Sequence, residues 1–332
     1  MDAQYQSNPK MWIVMVSYLE FEKPVSDLEG QIRELRTLAE QDKTVDLSED
    51  IARLETKSAG ILEGLYSKLT PWDKTQVARH PDRPHFIDYQ KALIEDFTPL
   101  AGDRYFGEDH AIFAGLGRFE GRSVAIIGQE KGMDTESRLK HNFGMARPEG
   151  YRKAIRIMEM AERFDLPVIS LIDTAGAYPG LGAEARGQAE AIARSTEKCL
   201  TLEVPMVSVI IGEGGSGGAI AIAAANRVYM LEHAIYSVIS PEAGASILWR
   251  DPARAKDIAT SMKITAQDLL QMGIIDGIIP EPLGGAHRGH EVVFQQAKNQ
   301  IEEALKDFEG LSGSEIKKER QDKFLAMGRN LS

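Results

Sequence analysis

Only one cysteine, Cys199, occurs in 332 residues. That scarcity excludes an intrachain disulfide framework and a cysteine-built zinc ribbon. Cys199 falls inside a helical pattern and reads as a buried, inert thiol. No stretch reaches the roughly 20 apolar residues needed to span a bilayer. The apolar run at 11–16 is too short for a signal-peptide core, and no small-residue cleavage site follows it. Positive charge is also scarce: 39 Lys and Arg face 50 Asp and Glu, a net charge of −11. A nucleic-acid partner therefore has little electrostatic support. The cytoplasm is the default location, with no membrane partner expected.

Glycine, by contrast, is concentrated. Five of the seven residues from Gly212 to Gly218 (Gly-Glu-Gly-Gly-Ser-Gly-Gly) are glycine. They separate the β-branched run 207–211, which reads as a buried strand, from the alanine-rich run 219–225, which reads as a buried helix. A strand turning sharply into a helix through bare glycine leaves backbone N–H groups unscreened at the positive end of the helix dipole. Such a turn suits an anion, or an oxygen that becomes negative during a reaction. A second copy stands 38 residues upstream, where 166–172 aligns with 204–210. Small residues follow again, Asp173-Thr174-Ala175-Gly176-Ala177-Tyr178-Pro179-Gly180, and then a helical stretch over about 183–202. Two ordinary buried connections also use glycine, but two copies in register favour two amide-rich turns at one site.

Along the chain, residues 1–14 read as a disordered extension, with Met15 an equally good start. Ser26-Asp27-Leu28-Glu29 is a capping box, and Leu28, Ile32, Leu35 and Leu38 follow at helical spacing. Ser48 opens a second helix carrying Ile51, Leu54, Ile61, Leu62 and Leu65. These two form an α-hairpin in a helical N-terminal region over 15–100. From about 101 to 310 the pattern is α/β: paired strands at 112–119 and 123–129 joined at Glu120-Gly121, a helix at 151–164, the two repeated units, then short strands and helices. After Gly310 the pattern fades, and 311–332 reads as a C-terminal tail.

Two motifs carry weaker alternatives. Gly212, Gly214 and Gly217 satisfy G-x-G-x-x-G, with Glu232 placed 20 residues on as a ribose ligand would be. A dinucleotide unit normally opens its domain, and this one follows a sister unit without the fingerprint. No lysine follows the glycines, which excludes a Walker A loop. Ser261-Met262-Lys263-Ile264 resembles the tripeptide at which biotin is attached to carrier proteins. Lys263, however, ends a helix, where a cation complements the dipole.

Longer strings identify a family. Residues 142–154 (Asn-Phe-Gly-Met-Ala-Arg-Pro-Glu-Gly-Tyr-Arg-Lys-Ala), 173–180, 212–218, 236–242 and 280–287 closely resemble the alpha subunit of bacterial acetyl-CoA carboxylase carboxyltransferase. Ala78-Arg79-His80-Pro81 also fits, and the likeness runs from about 19 to 311. One departure is Ala175, where the family usually has proline. The resemblance implies a crotonase-like superhelix of repeated ββα units, preceded by the helical region. It implies an α2β2 assembly with a beta subunit that carries a zinc ribbon and binds acetyl-CoA. Carboxybiotin would arrive on a biotin carboxyl carrier protein charged by a separate biotin carboxylase. No metal is expected on this chain.

Carboxyl transfer from carboxybiotin to acetyl-CoA, giving malonyl-CoA for fatty-acid synthesis, places negative charge on the biotin ureido oxygen. The expected donors are the N–H groups of Gly214, Gly215, Gly217 and Gly218 at one helix start, and of Gly176 and Ala177 at the other. One preorganised donor is typically worth about 2.7–4 kcal/mol of barrier. The freed biotin nitrogen can take the acetyl proton, so no side-chain base is required, and no catalytic Ser/His/Asp pattern is present. Asp173, Glu213 and Glu242 remain candidates for a general base, or for caps and turn ligands. Tyr178, Arg147 and Arg152 are candidates for substrate binding. The rival readings are a stand-alone crotonase-type hydratase or isomerase and an NAD-binding oxidoreductase.

Overall fold

The structure is a computed structural model that describes residues 17–42 and 46–329. The expected extension over 1–14 and the alternative start at Met15 lie outside the described residues. Four helices come first: α1 (Lys23–Gln41), α2 (Ser48–Tyr66), α3 (Pro71–Ala78) and α4 (Phe86–Leu93). The α-hairpin is present, but α1 starts three residues ahead of the expected cap. Pro24 occupies its first turn and Ser26 lies inside the helix, because proline's fixed φ suits that opening position. The hairpin's apolar face meets Val77, with Val25, Leu62 and Tyr66 buried around it. α4 instead feeds the main core through Phe86, Tyr89 and Leu93. The helical region thus ends at Leu93, since β1 (Glu95–Pro99) pairs antiparallel with β2 (Ile112–Phe119).

β2 and β3 (Arg122–Gln129) form the expected hairpin. Its turn residues Glu120 and Gly121 have φ of 48° and 73°, the left-handed pair that a two-residue hairpin requires. Then come α5 (Thr135–Lys140), α6 (Pro148–Arg163), β4 (Val168–Thr174), α7 (Leu181–Ala185) and α8 (Gln188–Thr201). The helix expected at 183–202 is broken by Gly187, which is left-handed at φ 81°. β5 (Met206–Gly215) leads into α9 (Ser216–Ala223). The last elements are β6 (Arg227–Leu231), β7 (Ile235–Ser237), α10 (Pro241–Trp249), α11 (Ala255–Ser261), α12 (Ala266–Gln271), β8 (Gly277–Ile279), α13 (His290–Lys306) and α14 (Gly313–Ala326).

The sheet order is β1-β2-β3-β4-β5-β6-β8, with β7 paired to β5. From β3 onward the pairs are parallel. β4 and β5 pair in the register of the internal repeat, with Ser170 opposite Ser208 and Ile172 opposite Ile210. The two serine hydroxyls hydrogen-bond at 2.5 Å across the buried ladder. Both strands are buried along their whole length, so their apolar runs show no alternation. β6 accompanies β5 as far as Ile210; from Glu213 onward β7 takes that side. Four of the residues expected in the turn, Gly212 to Gly215, are therefore strand.

The expected C-terminal tail is helical over α14 and docked. Arg320 is fully buried and donates to the carbonyls of Cys199, Leu202 and Val204 and to Asn226 Oδ1. The buried positions of α14 are Ile316 and Arg320. One of the two is charged, so no apolar stripe marks the helix in the sequence.

Candidate active site

The two repeat turns meet backbone to backbone. A Cβ placed on Gly215 would lie 2.2 Å from the Ala175 carbonyl oxygen, and one on Gly218 would lie 2.7 Å from Ala177 N. Only glycine permits that approach. Gln129, fully buried at the end of β3, ties the turns together: its amide donates to the Gly218 carbonyl at 2.8 Å and accepts from Asp173 N–H at 3.1 Å.

The six expected donors divide. No side chain caps α9, so the first-turn N–H groups of Gly217 and Gly218 have no intrahelical acceptor. Ala177 N lies beside them, and no acceptor for it is present among the described residues. Gly176 N–H is already taken, donating to Thr174 Oγ1 at 3.1 Å. Gly214 is aligned with Thr174 on one side and Tyr236 on the other, and Gly215 with Ser237; both are strand residues whose lack of a side chain admits the neighbouring backbone or ring. The second turn does not open a helix directly. α7 begins only at Leu181, which removes a helix dipole from Gly176 and Ala177. Ser216, at the tip, is exposed with φ 53°, an unusual strain for serine.

α9's first turn opens into an apolar groove of about 830 Å³. Ile220, Tyr236, Val238, Ile247, Leu248 and Met272 are among its walls. Val238 is 84% exposed and Ile247 72%. An exposed apolar rim of this kind marks a surface for a ligand or partner.

Beneath the turns lies an ionic network that brings Asp173, Glu213 and Glu242 together. Asp173 meets Lys131 Nζ at 2.6 Å and His85 Nδ1 at 3.3 Å, and accepts from Glu213 N–H at 3.0 Å. Burial alone would raise its pKa; the Lys131 charge and the His85 hydrogen bond outweigh burial and hold the carboxyl well below the usual carboxylate range. Glu213 and Glu242 each meet Arg79 at 2.6 Å. For Glu242 too, burial is outweighed, here by Arg79, and its pKa is lowered. The lowered pKa values make Asp173 and Glu242 weaker general bases. All three carboxylates sit beneath the turns.

Arg147 N-caps α6; its guanidinium lies 4.7 Å from the Tyr178 ring centre, and Tyr178 N–H donates to the Ala146 carbonyl. These two flank the turn. Arg152 does not join them. Five residues along α6 rotates a side chain by about 140°, and Arg152 lines a separate cavity with Asp103, Tyr105 and Glu190. There it donates to the Arg186 carbonyl. Three network members, Arg79, His85 and Lys131, carried no role in the sequence reading. Only Arg79 had a signal, since it falls within a family-specific string. The dinucleotide alternative fails on geometry: its glycines lie mostly in β5, and Glu232 accepts from the backbone N–H of Glu281.

Solved structures that share this fold share little sequence. A Pseudomonas malonate decarboxylase hetero-tetramer in complex with coenzyme A superposes at TM-score 0.58 and 16% identity, over 73% of this chain and 92% of that one. The transcarboxylase 12S hexamer core superposes at 0.54 and 19%, over 67% of this chain and 41% of that one. The chain thus spans less than half of the transcarboxylase chain. The fold is crotonase-like, of the kind carboxyltransferases use.

Sequence narrows the class further. A family model described as acetyl co-enzyme A carboxylase carboxyltransferase-like matches residues 18–328. The acetyl-coenzyme A carboxylase carboxyl transferase alpha subunits of Agrobacterium fabrum and Rhizobium rhizogenes are each 67% identical over 317 residues, 96% of this chain and 100% of theirs. The chain belongs to the acetyl-CoA carboxylase carboxyltransferase alpha-subunit family and is a transferase, one component of a multi-subunit enzyme. Among the described residues, no helix is long and apolar enough to cross a membrane.

Proposed function

We propose that this chain holds the biotin side of the carboxyl transfer to acetyl-CoA, using main-chain donors. The observation that carries the reading is the meeting of the uncapped start of α9 with Ala177 N, where Ser216 and Gly217 of the same start line an apolar groove. The groove accepts the apolar flank of a ureido ring, and the N–H groups of Gly217, Gly218 and Ala177 donate to its oxygen. Carboxybiotin on the carrier protein supplies the carboxyl group. This chain binds and orients the ring, and its donors stabilise negative charge where it develops. No base from this chain takes part, consistent with the lowered pKa values of Asp173 and Glu242.

The remaining components follow from family membership. A beta subunit with a four-cysteine zinc site binds acetyl-CoA and closes the α2β2 assembly over the exposed rim. A biotin carboxylase recharges the carrier, and the cytoplasm is the setting. The test is co-expression with such a beta subunit, followed by co-purification and by turnover that needs both malonyl-CoA and biotin, the reverse reaction. Hydration of crotonyl-CoA by the isolated chain, with no gain from the partner, would overturn the proposal in favour of a hydratase.

A further inference from the structure

Arg79 stands where three parts of the site converge. Thr70 and Asp73 form a capping box that starts α3, and the helix ends with Arg79 at its C-cap. The guanidinium is about one-quarter exposed and divides its donors between two carboxylates. Nε and Nη2 reach Glu213 Oε1 at 3.1 and 2.6 Å, and Nη1 reaches Glu242 Oε1 at 2.6 Å. Glu213 belongs to β5, immediately before the paired glycines, and its own N–H is fixed on Asp173. Glu242 lies in the first turn of α10. That helix supplies Gly244, Ile247 and Leu248 to the groove wall.

A planar guanidinium with several donors can bind two carboxylates at fixed spacing, which an ammonium cannot do. Here it straps the base of the donor turn to the wall opposite. Apart from this strap, the start of α10 is fixed by the Ser240 cap on Ala243 N–H and by packing of Gly244 against Ile258 and Met262.

We infer that Arg79 is a positioning residue that sets the width of the groove, acting through Glu242 on α10 and through Glu213 on the donor turn. The inference rests on the groove being the biotin site. Without the strap, α10 moves independently of the donors, and the groove no longer fits the ring as it binds. The loss falls on recognition of biotin more than on the chemical step.

The experiment uses the complex with the beta subunit, with free biotin and malonyl-CoA as substrates. Glu242→Gln leaves the Arg79–Glu213 pair intact. It is expected to raise the KM for biotin roughly five- to tenfold, as the loss of one half-exposed charge-assisted hydrogen bond implies, while kcat falls less than about twofold. Arg79→Lys keeps the charge without the fork and is expected to behave the same way. Arg79→Ala is expected to lose more, and guanidinium ion in the assay, with urea as the control, to recover at least part of the biotin KM. An unchanged KM for biotin in Glu242→Gln and Arg79→Lys overturns the inference. So does an Arg79→Ala enzyme that keeps its melting temperature yet gains nothing from guanidinium. A wild-type complex that fails to use biotin at all refutes the assignment of the groove instead.

Discussion

Gly218 and Gly217 are neighbours in one helix turn, yet an added methyl group has different consequences at each. A Cβ on Gly218 would sit 2.5 Å from Gly176 C, 2.7 Å from Ala177 N and 2.8 Å from the Gly176 carbonyl oxygen. All three are backbone atoms of the facing turn. To restore ordinary contact of 3.4 Å, the turn must retreat by about 0.9 Å. Overpacking of that kind costs roughly 1–3 kcal/mol, and a displacement near 1 Å at a preorganised site can cost about 100-fold in rate. At Gly217 the nearest atoms are Ile192 Cγ2 at 3.3 Å and Cδ1 at 3.6 Å, both on a side chain. Alanine there also gains up to about 1 kcal/mol of helix propensity. Each substitution leaves every N–H in place, so the pair separates geometry from chemistry. Gly218→Ala is expected to lower biotin-dependent turnover of malonyl-CoA about 100-fold in an assembled complex, and Gly217→Ala to change it less than about threefold. Thermal melting and size-exclusion chromatography confirm folding and assembly. If Gly218→Ala turns over within a few-fold of wild type, or both variants lose equally, the two turns do not form the donor site.

Ser216→Gly relieves the left-handed strain at φ 53° and is expected to stabilise the chain by about 1 kcal/mol, read as a rise in denaturant midpoint. A fall in that midpoint refutes the strain argument. Arg83 and Glu281 form a buried bidentate pair at 2.6 and 2.8 Å. Burial would raise the Glu281 pKa, but Arg83 outweighs it and lowers the value from 4.5 to about 2. A lowered folded-state value means that this contribution to stability is complete above about pH 4.5 and is lost as pH falls towards 2. Glu281→Gln is expected to cost about 3–5 kcal/mol at neutral pH by stranding Arg83, and to flatten the acid limb of the melting profile. An unaltered acid limb contradicts that assignment. Arg320→Met leaves the carbonyls of Cys199, Leu202 and Val204 without their buried donor. It is expected to cost at least about 2 kcal/mol and to expose α14 to limited proteolysis; equal protection of α14 in the variant argues against Arg320 as its anchor.

Much of the site's frame was legible because it is local. The 38-residue repeat aligns 166–172 with 204–210, and the parallel ladder pairs 168–172 with 206–210 in that same register. The adjacent strand ends then bring the two turns side by side, across a register shift between Ile172 and Thr174. The Glu120-Gly121 hairpin was readable for the same reason. What local pattern misjudged was the conformation of the glycines themselves. They looked like a loop, but β7 arrives to pair with Glu213, Gly214 and Gly215 and keeps them in strand. Thr174, an unremarkable residue in the turn, takes up the Gly176 N–H with its hydroxyl. α14 escaped notice because its anchor is an arginine rather than an apolar stripe.

The amino-acid sequence alone determined the family, the repeated strand–turn–helix units and the placement of small residues where backbones must touch. These depend on neighbours in the chain, whose spacing is set by helix and strand geometry. Tertiary structure decided that the Gly176 N–H is taken by Thr174, that Arg152 faces another cavity, and that Asp173, Glu213 and Glu242 sit in one ionic network. That network is made with Lys131, His85 and Arg79, which lie 42 to 163 residues away from their partners in the sequence. Only folding brings those charges within a few ångströms, where low dielectric and direct hydrogen bonds lower the pKa of Asp173 and of Glu242.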